Sequence, residues 1–234
     1  MNSILFSAND LKMHPSFSDD GYAFFSECLR PEIFASLGGM RGDCAELRAV
    51  LLNKESVSRK LLPAHLTTSS VVLSPDGQQC LLLLHRKIGE WVYPGGHADG
   101  DWNLLRSALR ECFEETALEQ VEVLPPTWVN RAQQSFYFPH FFVRFVIKST
   151  PKVVEHLHFD CVYVFRAKDN RVRFDSNESR DAAWFDLDLL REHALRDDGQ
   201  VSDGLDALTA RLCLSAVQSA LGGHPPKGAC VDLD

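Results

Sequence analysis

The side chains whose types and spacing most clearly suggest a chemical role are Arg110, Glu111, Glu114 and Glu115. They lie in a segment whose apolar residues recur with helical spacing. Positions three and four apart share one side of a helix, so the three glutamates would project together. Three like charges on one side repel each other, whereas a hard divalent cation such as Mg²⁺ binds such oxygen ligands and reverses the sign of the interaction. A solvated acidic face is the alternative interpretation, and it is the commoner one for Glu-rich helices.

A glycine-rich loop directly before this helix favours the metal-site interpretation. The helix is predicted over residues 103–116, with Leu105, Ala108, Leu109 and Cys112 forming its apolar stripe. The loop reads Pro94-Gly95-Gly96-His97-Ala98-Asp99-Gly100-Asp101. Glycines without a Cβ let the backbone approach a ligand closely, and the start of a helix leaves N–H groups available to it.

The spacing through this loop and helix resembles the Nudix box. That family's pattern is Gly, five residues, Glu, seven residues, then Arg-Glu-aliphatic-x-Glu-Glu-x-Gly-aliphatic. This chain reads Gly96-x5-Trp102-x7-Arg110-Glu111-Cys112-Phe113-Glu114-Glu115-Thr116-Ala117-Leu118. The preceding hairpin, the Gly-Gly-His-x-Asp-Gly-Asp loop and a later Glu-Ser-x4-Trp-Phe segment resemble one bacterial subgroup of the family. The resemblance covers residues 64–195 and implies an α/β (α+β) fold, the Nudix-type α/β/α sandwich with a mixed sheet.

The resemblance also implies a set of site residues. The metal ligands would be Glu114, Glu115 and the carbonyl of Gly95, with Mg²⁺ as the cofactor and Mn²⁺ as an alternative. Glu111 would be a further ligand, or would orient or deprotonate the attacking water, and Arg110 would hold the carboxylates in place. The family's late loop carboxylate, a ligand or general base in some members, corresponds to Glu178.

The chain departs from the family pattern at two positions. Trp102 replaces the first glutamate of the box, which usually supports the loop, and Asp101 or Asp99 could substitute for it. Ala117 replaces a glycine that normally permits a left-handed helix end. Alanine would adopt that conformation at a cost of roughly 1 kcal/mol, or the helix would end differently.

Further candidate residues lie outside the box. His156, His158 and Asp160 alternate along a predicted strand, so they share one face. With His97 the two histidines could line a phosphate or second-metal site, or they could be a half-exposed strand edge. The spacing alone does not make a zinc site, because more ligands would have to come from elsewhere. His97, His156, His158 and Arg86 are the candidate substrate-binding residues, although a solvated strand end is an alternative for Arg86.

The remaining pattern predicts how these residues are positioned. Strands are predicted at 66–73, 79–85, 91–93, 141–148, 157–166 and 184–187, and helices at 46–52, 103–116, 188–195 and 204–221. Pro75-Asp76-Gly77 joins the first two strands as a hairpin. We predict a helical N-terminal extension over 1–63, the Nudix domain over 64–222 and a flexible tail over 223–234.

Composition limits the classes of partner. The chain has 234 residues, of which 45% are hydrophobic, so it is long and apolar enough for one enlarged folded domain. Its 24 basic and 32 acidic residues give a net charge of -8, which disfavours nucleic acid and anionic membranes as partners. Seven cysteines stand singly, and no apolar run is long enough to span a membrane. We therefore expect a cytoplasmic protein with a small-molecule diphosphate substrate; a homodimer is a further expectation from the family.

The leading hypothesis is a Mg²⁺-dependent hydrolase that cleaves a diphosphate linkage in a nucleoside diphosphate derivative or a nucleoside triphosphate by metal-assisted attack of water. A catalytically weak or inactive binding or sensor module on the same scaffold is the alternative, motivated by Trp102 and Ala117. An isomerase of prenyl diphosphates is a weaker third option, because no cysteine is well placed for that chemistry.

Overall fold

A mixed β-sheet with helices on both faces forms the body of the protein. The computed structural model describes residues 5–12, 21–23, 45–125, 127–129, 135–196, 204–222 and 230–233. Its strands are β1 (Leu5–Phe6), β2 (Ala64–Leu73), β3 (Gln79–His85), β4 (Trp91–Val92), β5 (Gly95–His97), β6 (Val121–Val123), β7 (Thr127–Val129), β8 (Ser135–Tyr137), β9 (Phe141–Ile147), β10 (His156–Ala167), β11 (Ser179–Asp186) and β12 (Cys230–Leu233). Its helices are α1 (Ala45–Leu51), α2 (Leu104–Thr116), α3 (Leu187–Ala194) and α4 (Ala207–Gly222), with short 3₁₀ helices at Ala8–Lys12 and Lys54–Val57.

Two long parallel strands, β2 and β10, form the centre of this sheet. They pair from Ala64 opposite Leu157 to Leu73 opposite Arg166. Within the described residues the order along the sheet is β1-β6-β10-β2-β3-β11, and β9 also pairs with β10. The other edge of β2 is shared, because β3 pairs with its C-terminal end and β5 pairs with its middle. A short glycine strand is thereby held beside the centre of the sheet.

The two faces of the sheet carry separate apolar cores. One face packs on α1 and α2 through Leu66, Val72, Phe159 and the other buried strand residues that point to this face. The opposite face packs on α3 and α4 through Val71, Val162 and their neighbours. Adjacent residues of a strand point to opposite faces, so consecutive residues such as Val71 and Val72 enter different cores. This explains why β2 and β10 are buried on both sides over much of their length.

The fold class predicted from the sequence is confirmed. The β2–β3 hairpin is also confirmed, and β3 begins and ends at the predicted residues. The extension is not wholly helical, because Leu5 and Phe6 pair with β6 at the sheet edge. Within the segment predicted as a flexible tail, Cys230–Leu233 pairs in parallel with β9. The three domain boundaries stay predictions. None of the helices in the described ranges combines the length and apolarity needed to cross a membrane.

Candidate active site

Helix α2 begins and ends at well-defined caps that fix the position of its carboxylates. Asn103 accepts a hydrogen bond from the backbone N–H of Arg106 at 3.1 Å. Asp101 accepts one from the N–H of Asn103 at 2.8 Å and pairs with the guanidinium of Arg106. At the other end Ala117 adopts the left-handed conformation, with φ 50° and ψ 26°, and donates to the carbonyl of Phe113. The helix thus ends as the family's glycine would end it, despite the alanine.

The glycine strand β5 is in direct contact with two of the three glutamates. The N–H of Gly95 donates to Oε2 of Glu115 at 2.8 Å. A Cβ at Gly96 would lie 2.6 Å from the carboxyl carbon of Glu111, so only glycine leaves room for that side chain. The close approach predicted from the Gly-Gly sequence is therefore made to the protein's own carboxylates.

Arg110 links the helix to the strand. One guanidinium nitrogen lies 2.8 Å from Oε1 of Glu111 and 3.0 Å from Oε2 of Glu114. A second nitrogen donates to the carbonyl of His97 at 2.8 Å. Arg110 can therefore hold both carboxylates at a fixed distance from β5, in the arrangement expected of a residue that positions metal ligands.

A fourth carboxylate reaches the same place from a distant part of the chain. Glu178 directly precedes β11, and its side chain lies within hydrogen-bonding reach of Glu115. The turn that carries Glu178 is tied to the end of α2, where the N–H of Asp175 donates to the carbonyl of Glu115 at 3.2 Å. The structure therefore brings together Glu111, Glu114, Glu115, Gly95, Arg110 and Glu178, as the sequence predicts; their individual roles stay predictions.

The electrostatics of this cluster disfavour ionised carboxylates without a cation. The pKa of Glu115 is raised to about 8, chiefly by burial. The hydrogen bond from the N–H of Gly95 lowers this pKa, and the nearby Glu111 and Glu178 raise it. Burial also raises the pKa of Glu111, although Arg110 opposes the shift. A set of crowded carboxylate oxygens of this kind fits a hard divalent cation, which would supply the missing positive charge.

Arg86 lies beside the turn that carries Glu178. Its Nε donates to the carbonyl of Ser176 at 3.0 Å, and a second nitrogen donates to the carbonyl of Ser179 at 3.3 Å. Its own N–H donates to the carbonyl of Glu178 at 2.8 Å. Arg86 therefore braces the turn that carries Glu178, and a contact of its guanidinium with substrate stays a prediction.

His97, His156 and His158 lie close together, as expected from their alternation, and they are joined by His65. In the parallel register His65 is opposite His158, and the two ring centroids are 4.6 Å apart. Burial lowers the pKa of His97 to about 4 and that of His158 to about 3, so both rings are neutral near pH 7. Sequence reasoning missed His65, because the pairing of β2 with β10 joins segments far apart in the chain and has no local signature.

The two aspartates proposed to replace the missing glutamate are both engaged with arginines. Asp99 pairs with Arg59, and Asp101 pairs with Arg106. Trp102 itself is half-buried, and its indole N–H donates to the carbonyl of Lys54 at 2.8 Å. The rings of Trp102 and Tyr22 form a T-shaped pair with their centroids 5.0 Å apart. At this position the chain thus has an anchor between the loop and the preceding segment.

A family model and several solved structures match this chain. A NUDIX domain model matches residues 63–204, which is more than half of the chain. Among solved structures, the chain is similar to a NUDIX-family hydrolase from Clostridium perfringens, with 18% identity, a TM-score of 0.48 and coverage of 66% of this chain and 96% of that chain. It is also similar to an Ap4A hydrolase from C. elegans, with 17% identity, a TM-score of 0.43 and coverage of 68% and 98%.

Proposed function

Since the chain belongs to the NUDIX family of pyrophosphohydrolases, we propose that it hydrolyses a diphosphate linkage in a small nucleotide substrate with Mg²⁺ as cofactor. The substrate class is a nucleoside diphosphate linked to a further group, or a nucleoside triphosphate. The observation that carries the proposal is the convergence of the α2 glutamates on the Gly95–Gly96 backbone, with Glu115 bonded to the N–H of Gly95 at 2.8 Å.

The proposed cation is held by Glu111, Glu114 and Glu115, with the carbonyl of Gly95 as an additional ligand. Mg²⁺ fits this set because it prefers oxygen ligands and keeps positions for water and phosphate oxygens, and Mn²⁺ accepts similar ligands. When bound, such a cation neutralises the diphosphate and stabilises the charge that develops on the leaving phosphate. Arg110 bonds to one oxygen each of Glu111 and Glu114. Each of these carboxylates has a second oxygen for the cation.

Glu178 is the proposed proton acceptor. Glu111 already pairs with Arg110, whereas Glu178 comes from a separate turn and faces the cluster beside Glu115. A water molecule oriented there attacks one phosphorus in line, and its proton passes to Glu178. A P–O bond forms to the water oxygen while the bridging P–O bond breaks, and its electron pair leaves with the other phosphate.

The binding-module alternative differs in one measurable respect, which is turnover. The purified chain would be assayed with Mg²⁺ and with Mn²⁺ against nucleoside triphosphates, nucleotide sugars, ADP-ribose and dinucleoside polyphosphates. We expect hydrolysis of at least one class, and a loss of about 100-fold or more in kcat for Glu115→Gln, since the substitution removes a charged ligand.

Glu119→Gln is the matched control, because Glu119 is exposed, follows Glu115 by four residues and pairs only weakly with Arg171 at 3.4 Å. Its kcat should equal that of the wild type. The hydrolase proposal would be overturned if no substrate class were turned over while nucleotides still raised the Tm, or if Glu115→Gln retained full activity.

A further inference from the structure

A cluster of histidine rings lies on the sheet face opposite α2. His65 on β2 and His158 on β10 are register partners, and His97 on β5 is opposite Thr67, so these side chains share one face. Gly96, the neighbour of His97, faces Glu111 on the other side. The histidine cluster is therefore separate from the carboxylate site, although strand β5 contributes to both.

The hydrogen bonds of two rings fix which nitrogen has a lone pair. Nδ1 of His65 lies 3.0 Å from the carbonyl of Leu61, and Nδ1 of His156 lies 2.7 Å from the carbonyl of Val154. A carbonyl oxygen only accepts, so Nδ1 must carry the proton in both rings. Nε2 is then an unprotonated, lone-pair nitrogen. An Nδ1–H bonded to a backbone carbonyl is the usual support of a histidine that binds metal through Nε2.

The ligand nitrogens of three rings converge on one place. One such nitrogen each from His65, His156 and His158 lies within 4.8 Å of the others. Nε2 of His156 is 3.1 Å from Nε2 of His158. Nitrogens bound to one tetrahedral Zn²⁺ at about 2.0–2.1 Å are separated by roughly 3.4 Å, so small side-chain adjustments suffice.

A purely structural role for these histidines does not explain Nε2 of His65. His65 is 1% exposed, and its Nε2 has no hydrogen-bond partner in the described structure. A buried acceptor without a partner costs free energy, in the range of about 1–3 kcal/mol. Because Nε2 of His156 accepts, Nε2 of His158 donates the 3.1 Å hydrogen bond between them in the metal-free protein. A bound cation would satisfy Nε2 of His65 and would replace this hydrogen bond, with the proton of His158 moving to Nδ1.

The surroundings favour a borderline-soft metal over Mg²⁺. The converging ligands are imidazoles, which suit Zn²⁺ and similar transition metals, whereas Mg²⁺ prefers oxygen. Arg59 is a cation near His65 and His97, and its guanidinium pairs with Asp99, with Nε to Oδ1 at 2.7 Å. Asp160, the next residue on this face of β10, accepts from Thr67 at 2.8 Å and stands beside the cluster.

We infer that His65, His156 and His158 form a second metal site, which binds one Zn²⁺-class ion through Nε2 nitrogens. The ion has an open fourth position beside His97, which water or an anionic oxygen such as phosphate fills. This site requires neither Mg²⁺ nor the carboxylates of α2, so it does not depend on the proposed hydrolase activity.

The test is a titration of the metal-free protein with Zn²⁺ by calorimetry, with Co²⁺ as a spectroscopic substitute. Both titrations are done with excess Mg²⁺ and in the Glu115→Gln background, so that binding to the carboxylates is suppressed. We expect one Zn²⁺ per chain and the visible absorption of tetrahedral, nitrogen-bound Co²⁺. His156→Ala and His158→Ala should each weaken Zn²⁺ binding by about 100-fold or more, since even supporting residues are worth about 10–100-fold.

His85→Ala is the matched control, because His85 is also a partly exposed strand histidine but lies outside the cluster. It should bind Zn²⁺ like the parent protein. Far-ultraviolet circular dichroism checks that each variant is folded, and His156→Gln is a second variant with a smaller change in packing. Equal Zn²⁺ affinity in the parent and all folded cluster variants, or no binding by the parent, would overturn the inference.

Discussion

Glu111 and Gly96 are packed so closely that the side chain of one depends on the absence of a side chain on the other. A Cβ at Gly96 would lie 2.7 Å from each carboxylate oxygen of Glu111. At Gly95 the same atom would lie 2.8 Å from the backbone carbonyl of Thr68 and still closer to the side chain of Ser69. The two glycines therefore have different roles. Gly96 leaves room for the carboxylate of Glu111, and Gly95 leaves room for the neighbouring strand β2.

Gly96→Ala should damage activity more than stability. The carboxylate of Glu111 can move away from the new methyl group, but it then leaves its place beside β5. We expect kcat/KM to fall by about 100-fold, since a displacement of about 1 Å in a catalytic site costs that much, while the Tm stays close to that of the wild type. Gly222→Ala is the control, because a Cβ there meets nothing within 4 Å. An active Gly96→Ala enzyme would show that Glu111 need not hold this position.

The crowding of carboxylates around Glu115 should make the stability of the metal-free protein depend on pH. The pKa of Glu115 rises from 4.5 to about 8 on folding, mainly because of burial. The folded state then binds more protons than the unfolded state, so this group destabilises the fold increasingly as the pH rises from about 5 to 8. Glutamine resembles the protonated carboxyl and does not ionise.

With a chelator present, Glu115→Gln should therefore gain stability relative to the wild type as the pH increases. Denaturant unfolding at pH 5 and pH 9 measures the difference in the free energy of unfolding between the two proteins. That difference should be small at pH 5 and should favour the variant at pH 9, and saturating Mg²⁺ should reverse the preference at pH 9. The same comparison with Glu119→Gln should show no such change, and a pH-independent difference for Glu115→Gln would contradict the raised pKa.

Local patterns predicted the carboxylate site better than they predicted the rest of the sheet. The stripe through Leu105 and Leu109 gave the position of α2, and helical spacing then placed its glutamates on one side. Strand β5 was missed because Gly95-Gly96 indicates a loop, although glycine in a strand also marks close approach of another group. His65 joined the histidine cluster through a register between distant strands, which no short pattern determines. The missed contacts are thus those that depend on long-range pairing.

Ala117 offers a direct measure of the strain at the end of α2. Its φ of 50° places the residue in the left-handed region, where a Cβ is strained and where glycine has no steric cost. We expect Ala117→Gly to raise the free energy of unfolding by about 1 kcal/mol. Ala194→Gly, at the end of α3 and in a helical conformation, should instead lower it by about 0.5–1 kcal/mol. Urea unfolding measures both changes, and equal losses in the two variants would contradict a strained helix end.

A double variant of Arg86 and Glu178 can distinguish a positioning role of Arg86 from its direct contact with substrate. The guanidinium of Arg86 bonds to the carbonyls on either side of Glu178, so Arg86→Ala should lower kcat by loosening the turn that carries this carboxylate. If Arg86 acts only through Glu178, the double variant Arg86→Ala/Glu178→Gln should be no slower than Glu178→Gln alone.

Independent contact of Arg86 with a phosphate would instead multiply the two losses and raise KM. Arg171→Ala is the control for removal of an arginine, because Arg171 is exposed and pairs with Asp169 and Glu119. Steady-state kinetics of the four proteins of this cycle, with the control beside them, measures kcat and KM separately. A multiplicative loss would assign Arg86 to the substrate, and a shared loss would assign it to the turn before β11.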